Sequence, residues 1–571
     1  MEINGLIVKL LMNRGITEEN QILEFLSDKP QLTHDPALLD DIQEGTDLIL
    51  SEIKKGTPTL VYGDYDADGI TSTVLMMTVL KSISNKYGPC RIDYRIPSRF
   101  DEGYGLNKEA IRQIYEAGFG LIITVDCGSV SYEEVEYAKE LGLKVVVTDH
   151  HTITDKMADC FLINPKKPGS RYPFSELSGC GVAYKVAQML QRKAELPKSV
   201  ITEVLDLVAI GTIGDIMPLV DENRTLVKYG LRIINLGGRP GLKKLISGAG
   251  LKIGQVTSEN VGFVIVPHLN ASGRIEDASV SVRLLGAGIV EKYDEAKLDE
   301  IVDDLLFKNQ ERKRLQKETY DKCIKLLEYP QQLGSEKDAS KYEECLENFI
   351  LLRCDEAHEG IAGIVAGKLK EAFYRPSVLV LPTGEGELKG TGRSIEGVNL
   401  YNLLKKYEDL FLKFGGHAGA CGFTMKEENF EILKAGINRD MDELAAENPD
   451  IFVKNLPVDL DLDFEEITPE FAEQINMLAP FGNKNPKPLF RLTSVEIRDV
   501  KHMGNELQHV RFNAADLEER KIGCVFFNKA HAYEEIIQPG QEVDIFGNVD
   551  IQEWQGKKRI QFIVEDITYS V

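Results

Sequence analysis

The segment GDYDADG, residues 63–69, sets Asp64, Asp66 and Asp68 two residues apart, directly after the apolar run TLVY. Like charges this close repel and raise one another's pKa, so the spacing is unfavourable unless a cation or a set of donors compensates. Acidic turns also form without any metal, since Asp and Gly are turn residues. Three further groups follow: Asp126 in TVDCGS, Asp149-His150-His151 in VVVTDHH, and Asp215 in GTIGDIMPL. Each closes a β-type run, namely TLVYG, LIITVD, KVVVTD and DLVAIGTIGD. In a parallel α/β sheet the carboxyl ends of the strands share one edge, so all four groups are expected to converge. Hard carboxylate oxygens with one or two imidazoles suit Mn²⁺ or Mg²⁺ better than zinc. Two such ions about 3.5–4 Å apart generate hydroxide at neutral pH and neutralise charge on a transferring phosphoryl group, which points to phosphoester hydrolysis.

The elements that must position these residues are legible in outline. Between the runs lie TSTVLMMTVLKSI and SYEEVEYAKELG, whose apolar positions suit helices, and the alternation indicates a parallel sheet covered on both faces. Residues 290–330, charged and free of proline until Pro330, read as one long helix, followed by the polar loop QQLGSEKDASKYEE. The α/β pattern resumes at ENFILLRCDE, with a helix GIAGIVAGKLKEAF, a strand SVLVL and the glycine-rich GEGELKGTGRS and KFGGHAGACGFTM. Five β-rich runs between residues 490 and 569 suggest a small barrel of the oligonucleotide/oligosaccharide-binding (OB) type. The expected fold is α/β: two α/β units joined by a long helix, plus a C-terminal all-β OB-type barrel.

At 571 residues the chain exceeds one hydrophobic core, and about three or four domains are expected. The nine cysteines include no C-x-x-C pair and read as reduced thiols. Neither a signal peptide nor a membrane span fits MEINGLIVKLLMNRGITEEN, so the expected location is cytoplasmic, with no membrane partner. A net charge of −24 would count against a nucleic-acid partner, yet residues 307–325 hold seven basic side chains against three acidic ones, a candidate basic stripe or a solvated helix face.

GDYDADGIT, VDCGS, TDHH and GTIGDIMPL, in this order, resemble the four motifs of the DHH phosphoesterase superfamily, and GTGRS and GGHAGACGF resemble its accessory DHHA1 domain. With EGYGLN, PHLNASGRIEDAS, LAPFGNKNPKPLF and the barrel, the resemblance narrows to the RecJ family of single-stranded-DNA exonucleases. It implies an N-terminal helical arm over 1–45, a DHH catalytic domain over 46–285, a connecting helix and loop over 286–345, a DHHA1 domain over 346–450 and an OB domain over 451–571. It further implies that Asp66, Asp68, Asp126, His150 and Asp215 ligate two divalent ions, Mn²⁺ or Mg²⁺, with Asp126 as bridge. Asp64 is a further ligand or else caps the following turn; His151 contacts the scissile phosphate or holds a metal; Asp149 orients His150. Arg99 and Arg393, with Thr391, are implied to grip a 5′-phosphate, and Arg274 and His417 to contact the backbone near the cut. The implied activity is 5′-to-3′ hydrolysis of single-stranded DNA to mononucleotides in repair and recombination, beside a single-strand-binding protein and a helicase. The alternatives are a phosphodiesterase of oligonucleotides or cyclic dinucleotides, and a non-catalytic replication scaffold. Of the barrel aromatics Phe512, Phe526, Phe527, Phe546 and Trp554, only Trp554 is expected to be exposed.

Overall fold

The computed structural model describes residues 3–99, 102–103, 105–153, 156–328, 347–384, 386–554 and 557–570. It comprises two compact units, the first formed by Met1–Val266, Val282–Leu298 and Leu456–Val571, the second by Pro267–Ser281 and Asp299–Asn455.

The first unit contains a parallel sheet of β1 (Thr59–Tyr62), β2 (Ile92–Arg95), β3 (Leu121–Val125), β4 (Lys144–Thr148) and β5 (Phe161–Ile163), in the order β2-β1-β3-β4-β5. Every residue of β1 and β3 is buried, as expected for strands covered on both faces. From β1 the chain crosses to β2 on one side and to β3 on the other, so the strand order reverses between β1 and β3, where ligand crevices form in such sheets. Two strands escaped the sequence reading: β2 is buried only at Ile92, and β5 is three residues long. The run DLVAIGTIGD, expected as a strand, is instead a helix, Leu205–Gly214. It is apolar on nearly all sides because it is buried on nearly all sides, and such a run has no period that separates helix from strand. Asp215 therefore sits at a helix C-terminus, and three strand ends, not four, supply the acidic groups.

The 34-residue helix Glu295–Glu328 carries the chain from the first unit into the second. Three of the seven basic side chains over 307–325 pair with carboxylates, Lys308 with Glu276 and Asp304, Arg314 with Glu311 and Glu318, and Lys322 with Glu356, while Lys313, Lys317 and Lys325 are exposed. The loop expected at 331–344 lies outside the described residues. The second unit has a mixed sheet of β6 (Ile350–Arg353), β7 (Ser377–Gly384), β8 (Glu387–Arg393), β9 (Phe411–His417) and β10 (Ala420–Lys426), in the order β6-β7-β8-β10-β9. The ELKGTGR part of the first glycine-rich stretch is β8, antiparallel to β7, and KFGGHAGACGFTM forms the β9–β10 hairpin.

The first unit also holds the barrel, β11 (Leu460–Asp461), β12 (Phe490–Met503), β13 (His509–Ala515), β14 (Lys521–Phe526), β15 (Glu542–Trp554) and β16 (Lys557–Tyr569), closed by pairing of β12 with β15. The five long strands match the five expected runs. Helices Gly5–Asn13 and Glu19–Leu26 bury Ile7, Leu10, Leu11, Ile22 and Leu26 in the same core as the barrel residues Phe490, Phe512 and Phe562. Among the described residues no helix is long and apolar enough to cross a membrane.

Arg224, on helix Asp221–Leu236, ties these parts together. It is 4% exposed, lies 3.7 Å from the Phe25 ring, and donates to the carbonyls of Phe25, Met477, Leu478 and Ala479 at 2.9–3.3 Å. A lysine has neither the planar fork nor enough donors for this set. Arg224→Lys is expected to destabilise the first unit by about 2–5 kcal/mol, read as a lowered first melting transition, because buried carbonyls lose their donors.

Candidate metal centre and phosphate contacts

After β1 the chain turns through Asp64 into helix Ala67–Tyr87. Asp66 is the N-cap, its Oδ1 accepting from the amides of Asp68 (2.9 Å) and Gly69 (3.1 Å), so the capping role considered for Asp64 belongs to Asp66. A Cβ on Gly69 would lie 2.5 Å from the Asp64 carbonyl, which only glycine permits. Asp64 is 3% exposed, and its Oδ1 is buried with no hydrogen-bond partner among the described residues.

Asp68 faces the start of helix Gly179–Lys193, where its Oδ2 accepts from the Gly179 amide (2.6 Å) and its Oδ1 from the Cys180 amide (2.9 Å). Asp126 follows β3 in the left-handed region, φ 62°, uncommon for a residue with a side chain and typical of functional turns. His150 Nε2 lies 3.2 Å from Asp126 Oδ1, 3.5 Å from Asp215 Oδ2 and 3.9 Å from Asp68 Oδ2, and it makes no hydrogen bond to any described residue. Ligand atoms fall into three overlapping sets, each within 4.8 Å: Asp126, His150 and His151; Asp68, His150 and Asp215; Asp64, Asp66 and Asp126. All seven expected residues are thus gathered, with Asp126 and His150 each shared by two sets.

Asp149 acts differently from the expectation. Its Oδ1 bonds to His151 Nδ1 at 2.8 Å and its Oδ2 accepts from the Ser129 amide at 2.9 Å, whereas it reaches His150 only through the backbone amide, at 2.7 Å. It therefore orients His151 rather than His150: past the end of β4 the chain bends, with the amides of His150 and His151 both donating to Asp149 Oδ1, and this turn brings the His151 ring back onto that carboxylate.

The electrostatics follow from burial and crowding. Burial, then the charge of Asp66, raises Asp68 to about 7. Burial, then Asp68 and Asp66, raises Asp215 to about 8, and Asp64 and Asp126 lie well above the ordinary carboxylate value for the same reasons. Burial lowers His150 to about 3. For His151 burial acts downward, but the bond to Asp149 and its charge outweigh it, lifting the imidazole to about 9. Asp149 is held below the usual carboxylate range, against the effect of burial, by His151 and the Ser129 amide. A buried oxygen without a donor, an imidazole nitrogen facing three carboxylates, and an oxygen-rich set that no cysteine joins among the described residues together fit hard divalent cations such as Mn²⁺ or Mg²⁺.

The expected phosphate contacts fall in both units. In the first, the Arg99 guanidinium lies 4.0 Å from the Tyr65 ring centre, and its buried Nε makes no hydrogen bond to any described residue. In the second, Arg393 on β8 and His417 on β9 both sit opposite Ala420 of β10, so the three share one face of the sheet, with Thr391 two residues along. A Cβ on Gly363, in helix Glu359–Phe373, would lie 2.9 Å from Arg393 Nη2 and 3.2 Å from the Thr391 methyl. Arg274 Nη1 donates to the Gly360 carbonyl at 2.9 Å, near the start of the same helix. The barrel bears a groove of about 910 Å³ lined by Arg511, Asn513, Phe527, Gln552, Arg559 and Gln561. Phe527 is 50% exposed, correcting the expectation of a buried ring, while Phe512 and Phe526 are buried. The Trp554 side chain lies outside the described residues.

Sequence reading missed Gly179, Cys180 and Gly211, which surround Asp68. Ser178 followed by small residues was the available signal, a helix start, but backbone donors leave no mark of what they bind.

Known proteins bear on the same regions. The DHH family N-terminal domain matches residues 58–212, the DHHA1 domain residues 346–443, and the RecJ OB domain residues 458–566. Fold and site thus define a chain of the DHH/DHHA1 class with a RecJ-type barrel. The single-stranded-DNA-specific exonuclease RecJ of Bacillus subtilis is 38% identical over all of this chain and 69% of its own length, and that of Escherichia coli is 32% identical over 93% of this chain and 90% of its own. The crystal structure of RecJ from Thermus thermophilus in complex with Mn²⁺ superposes with a TM-score of 0.81 at 28% identity, covering 99% of this chain and 76% of that one; one in complex with Mg²⁺ gives 0.75. The chain belongs to the RecJ family.

The raised carboxylates predict how the metal-free protein responds to pH. Folded values above the unfolded 3.8 mean that stability is greatest below that value and falls as pH rises toward about 7 for Asp68 and 8 for Asp215. At pH 7.5 with chelator, Asp126→Asn is expected to raise the melting temperature by roughly 2–6 °C, and to lose the rise that Mn²⁺ gives the wild type. Scanning fluorimetry with EDTA and with Mn²⁺ checks both.

Proposed function

We propose that the protein is an exonuclease that degrades single-stranded DNA from a 5′-phosphorylated end, releasing mononucleotides, with two divalent ions, Mn²⁺ or Mg²⁺. The observation that carries this reading is the gathering of Asp64, Asp66, Asp68, Asp126, His150, His151 and Asp215 in overlapping ligand sets, in a chain of the RecJ family. Bound there, the ions would supply Lewis acidity toward the scissile phosphate and lower the pKa of water. Asp66, Asp68, Asp126, His150 and Asp215 are the proposed ligands, Asp126 bridging, with Asp64 available through its buried Oδ1. His151, bonded at Nδ1 to Asp149, is proposed to contact the scissile phosphate or to hold a metal. Arg99 is one proposed 5′-phosphate contact. Arg393, with the Thr391 hydroxyl on the same sheet face, is another, and a guanidinium suits bidentate capture of a terminal phosphate. Arg274 and His417 are proposed backbone contacts.

The barrel groove favours a polymer over a dinucleotide: Arg511 and Arg559 offer charge for a backbone and Phe527 an exposed face for a base. Such an activity serves repair and recombination in the cytoplasm, on strands exposed by a helicase and covered by a single-strand-binding protein.

End-labelled single strands, double strands and RNAs incubated with Mn²⁺, Mg²⁺ or EDTA test the proposal. Shortening of single-stranded DNA from the 5′ end, abolished by EDTA and by Asp126→Ala, is the expected outcome; cleavage by the Asp126→Ala protein would remove the metal assignment. Arg393→Ala is expected to lose discrimination between 5′-phosphate and 5′-hydroxyl ends, measured as the ratio of kcat/KM values. Phe527→Ala is expected to weaken strand binding by about 1–3 kcal/mol, with hydrolysis of a saturating short substrate unchanged; anisotropy titration reads the first and a turnover assay the second.

A further inference from the structure

Charged clusters elsewhere in the first unit are committed to one another: Lys185 and Glu222 pair at 2.5 Å with neither exposed, and Arg239 pairs with Asp206 at 2.7 Å. The start of helix Gly179–Lys193 is different, because its donors are directed at a candidate ligand. Ser178 caps the helix, its Oγ accepting from the Gly181 amide at 3.0 Å and lying 3.3 Å from Thr212 Oγ1. The amides of Gly179 and Cys180 then remain for the two oxygens of Asp68, at 2.6 and 2.9 Å. A Cβ at position 179 would lie 2.4 Å from Asp126 Oδ1 and 2.5 Å from Asp126 Cβ, and a Cβ at position 211 would lie 2.4 Å from Asp68 Oδ1. Two carboxylates from different loops are thus located by bare glycine Cα atoms. The same cluster holds Asp64 Oδ1, buried and without a partner among the described residues, which itself points to a cation.

We propose that Gly179 is a positioning residue for divalent-cation binding. Its amide and that of Cys180 fix the plane of the Asp68 carboxylate, and its missing side chain sets how closely Asp126 approaches. Each carboxylate oxygen carries two lone pairs, so an oxygen that accepts one amide keeps another lone pair for a cation, now in a fixed direction. Ordering the ligand before the cation arrives removes a cost from binding. The inference rests on the metal-dependent reading above and deepens it, extending the site to residues that offer no ligand atom of their own.

The test uses the full chain without substrate. Mn²⁺ binding is measured by electron paramagnetic resonance for wild type, Gly179→Ala and Ser178→Ala, with turnover then followed against Mn²⁺ concentration. Outer-shell partners of metal ligands typically change affinity 10–100-fold, and Gly179→Ala is expected to weaken Mn²⁺ binding by about that factor, with turnover recovering in excess Mn²⁺. Ser178→Ala adds no bulk and loosens only the cap; it is expected to weaken binding by roughly 3–10-fold, below the outer-shell range, and it carries the test if Gly179→Ala does not fold. Wild-type Mn²⁺ affinity in the folded variants overturns the proposal, as does an activity loss that excess Mn²⁺ fails to restore. A wild-type chain that binds no Mn²⁺ overturns the metal reading and this inference with it.

Discussion

Two unit charges 4 Å apart at a protein-like effective dielectric of 20 repel by about 4 kcal/mol, and five carboxylates here share one largely buried space. Everything around that space reduces or redirects the repulsion. The helix starting at Gly179 offers two amides to Asp68, the helix starting at Ala67 offers two to Asp66, and His151 contributes an imidazole whose charge Asp149 sustains. What remains uncompensated, above all at Asp64 and around His150 Nε2, is what divalent cations would neutralise. The cluster is therefore a store of unfavourable energy in the metal-free chain, and the framework must be stiff enough to hold it.

That stiffness comes from burial. β1, β3 and β4 deliver the loops that carry the cluster, and their apolar residues pack on both faces of the sheet. Helix Gly179–Lys193 is pinned farther along by Lys185, whose ammonium meets Glu222 at 2.5 Å and the His34 carbonyl at 2.9 Å, while the Tyr172 hydroxyl donates to the same Glu222. A buried ion pair is weak evidence for stability, since desolvation offsets most of the attraction. It does fix register, because any axial slip of the helix would strand a charge without its partner. Holding the first turn of this helix against Asp68 gives that register a use.

The sequence announced the parts of this design that have side-chain signatures and hid those that do not. Crowded aspartates and the Asp-His-His run were visible because charge repulsion makes them improbable without a partner, and the five barrel runs were visible because alternation has a period. Helix Leu205–Gly214 reads as a strand in the sequence because Val208, Ala209, Ile210 and Gly211 are buried all round and carry no period at all. β2 was overlooked because Asp93 and Arg95 make half of it polar. The bond from Asp149 to His151 depends on which way a turn bends, and the grip of Gly179 and Cys180 on Asp68 is made by backbone. In each case tertiary geometry, not residue type, decides the outcome.

The net charge of −24 shapes how a polyanion could be held. Along helix Glu295–Glu328, Lys308, Arg314 and Lys322 are paired with carboxylates, while Lys313, Lys317 and Lys325 are exposed. On the barrel, Arg511 and Arg559 add guanidinium charge, and divalent cations held at the carboxylate cluster would add more. A protein that neutralises few phosphates with side chains releases few counterions, so its affinity falls only gently with added salt. Stacking on an exposed ring such as Phe527 adds sequence-tolerant affinity that salt does not screen. An acidic surface repels polyanions, so a net charge of this sign would confine a bound strand to the places that carry local positive charge.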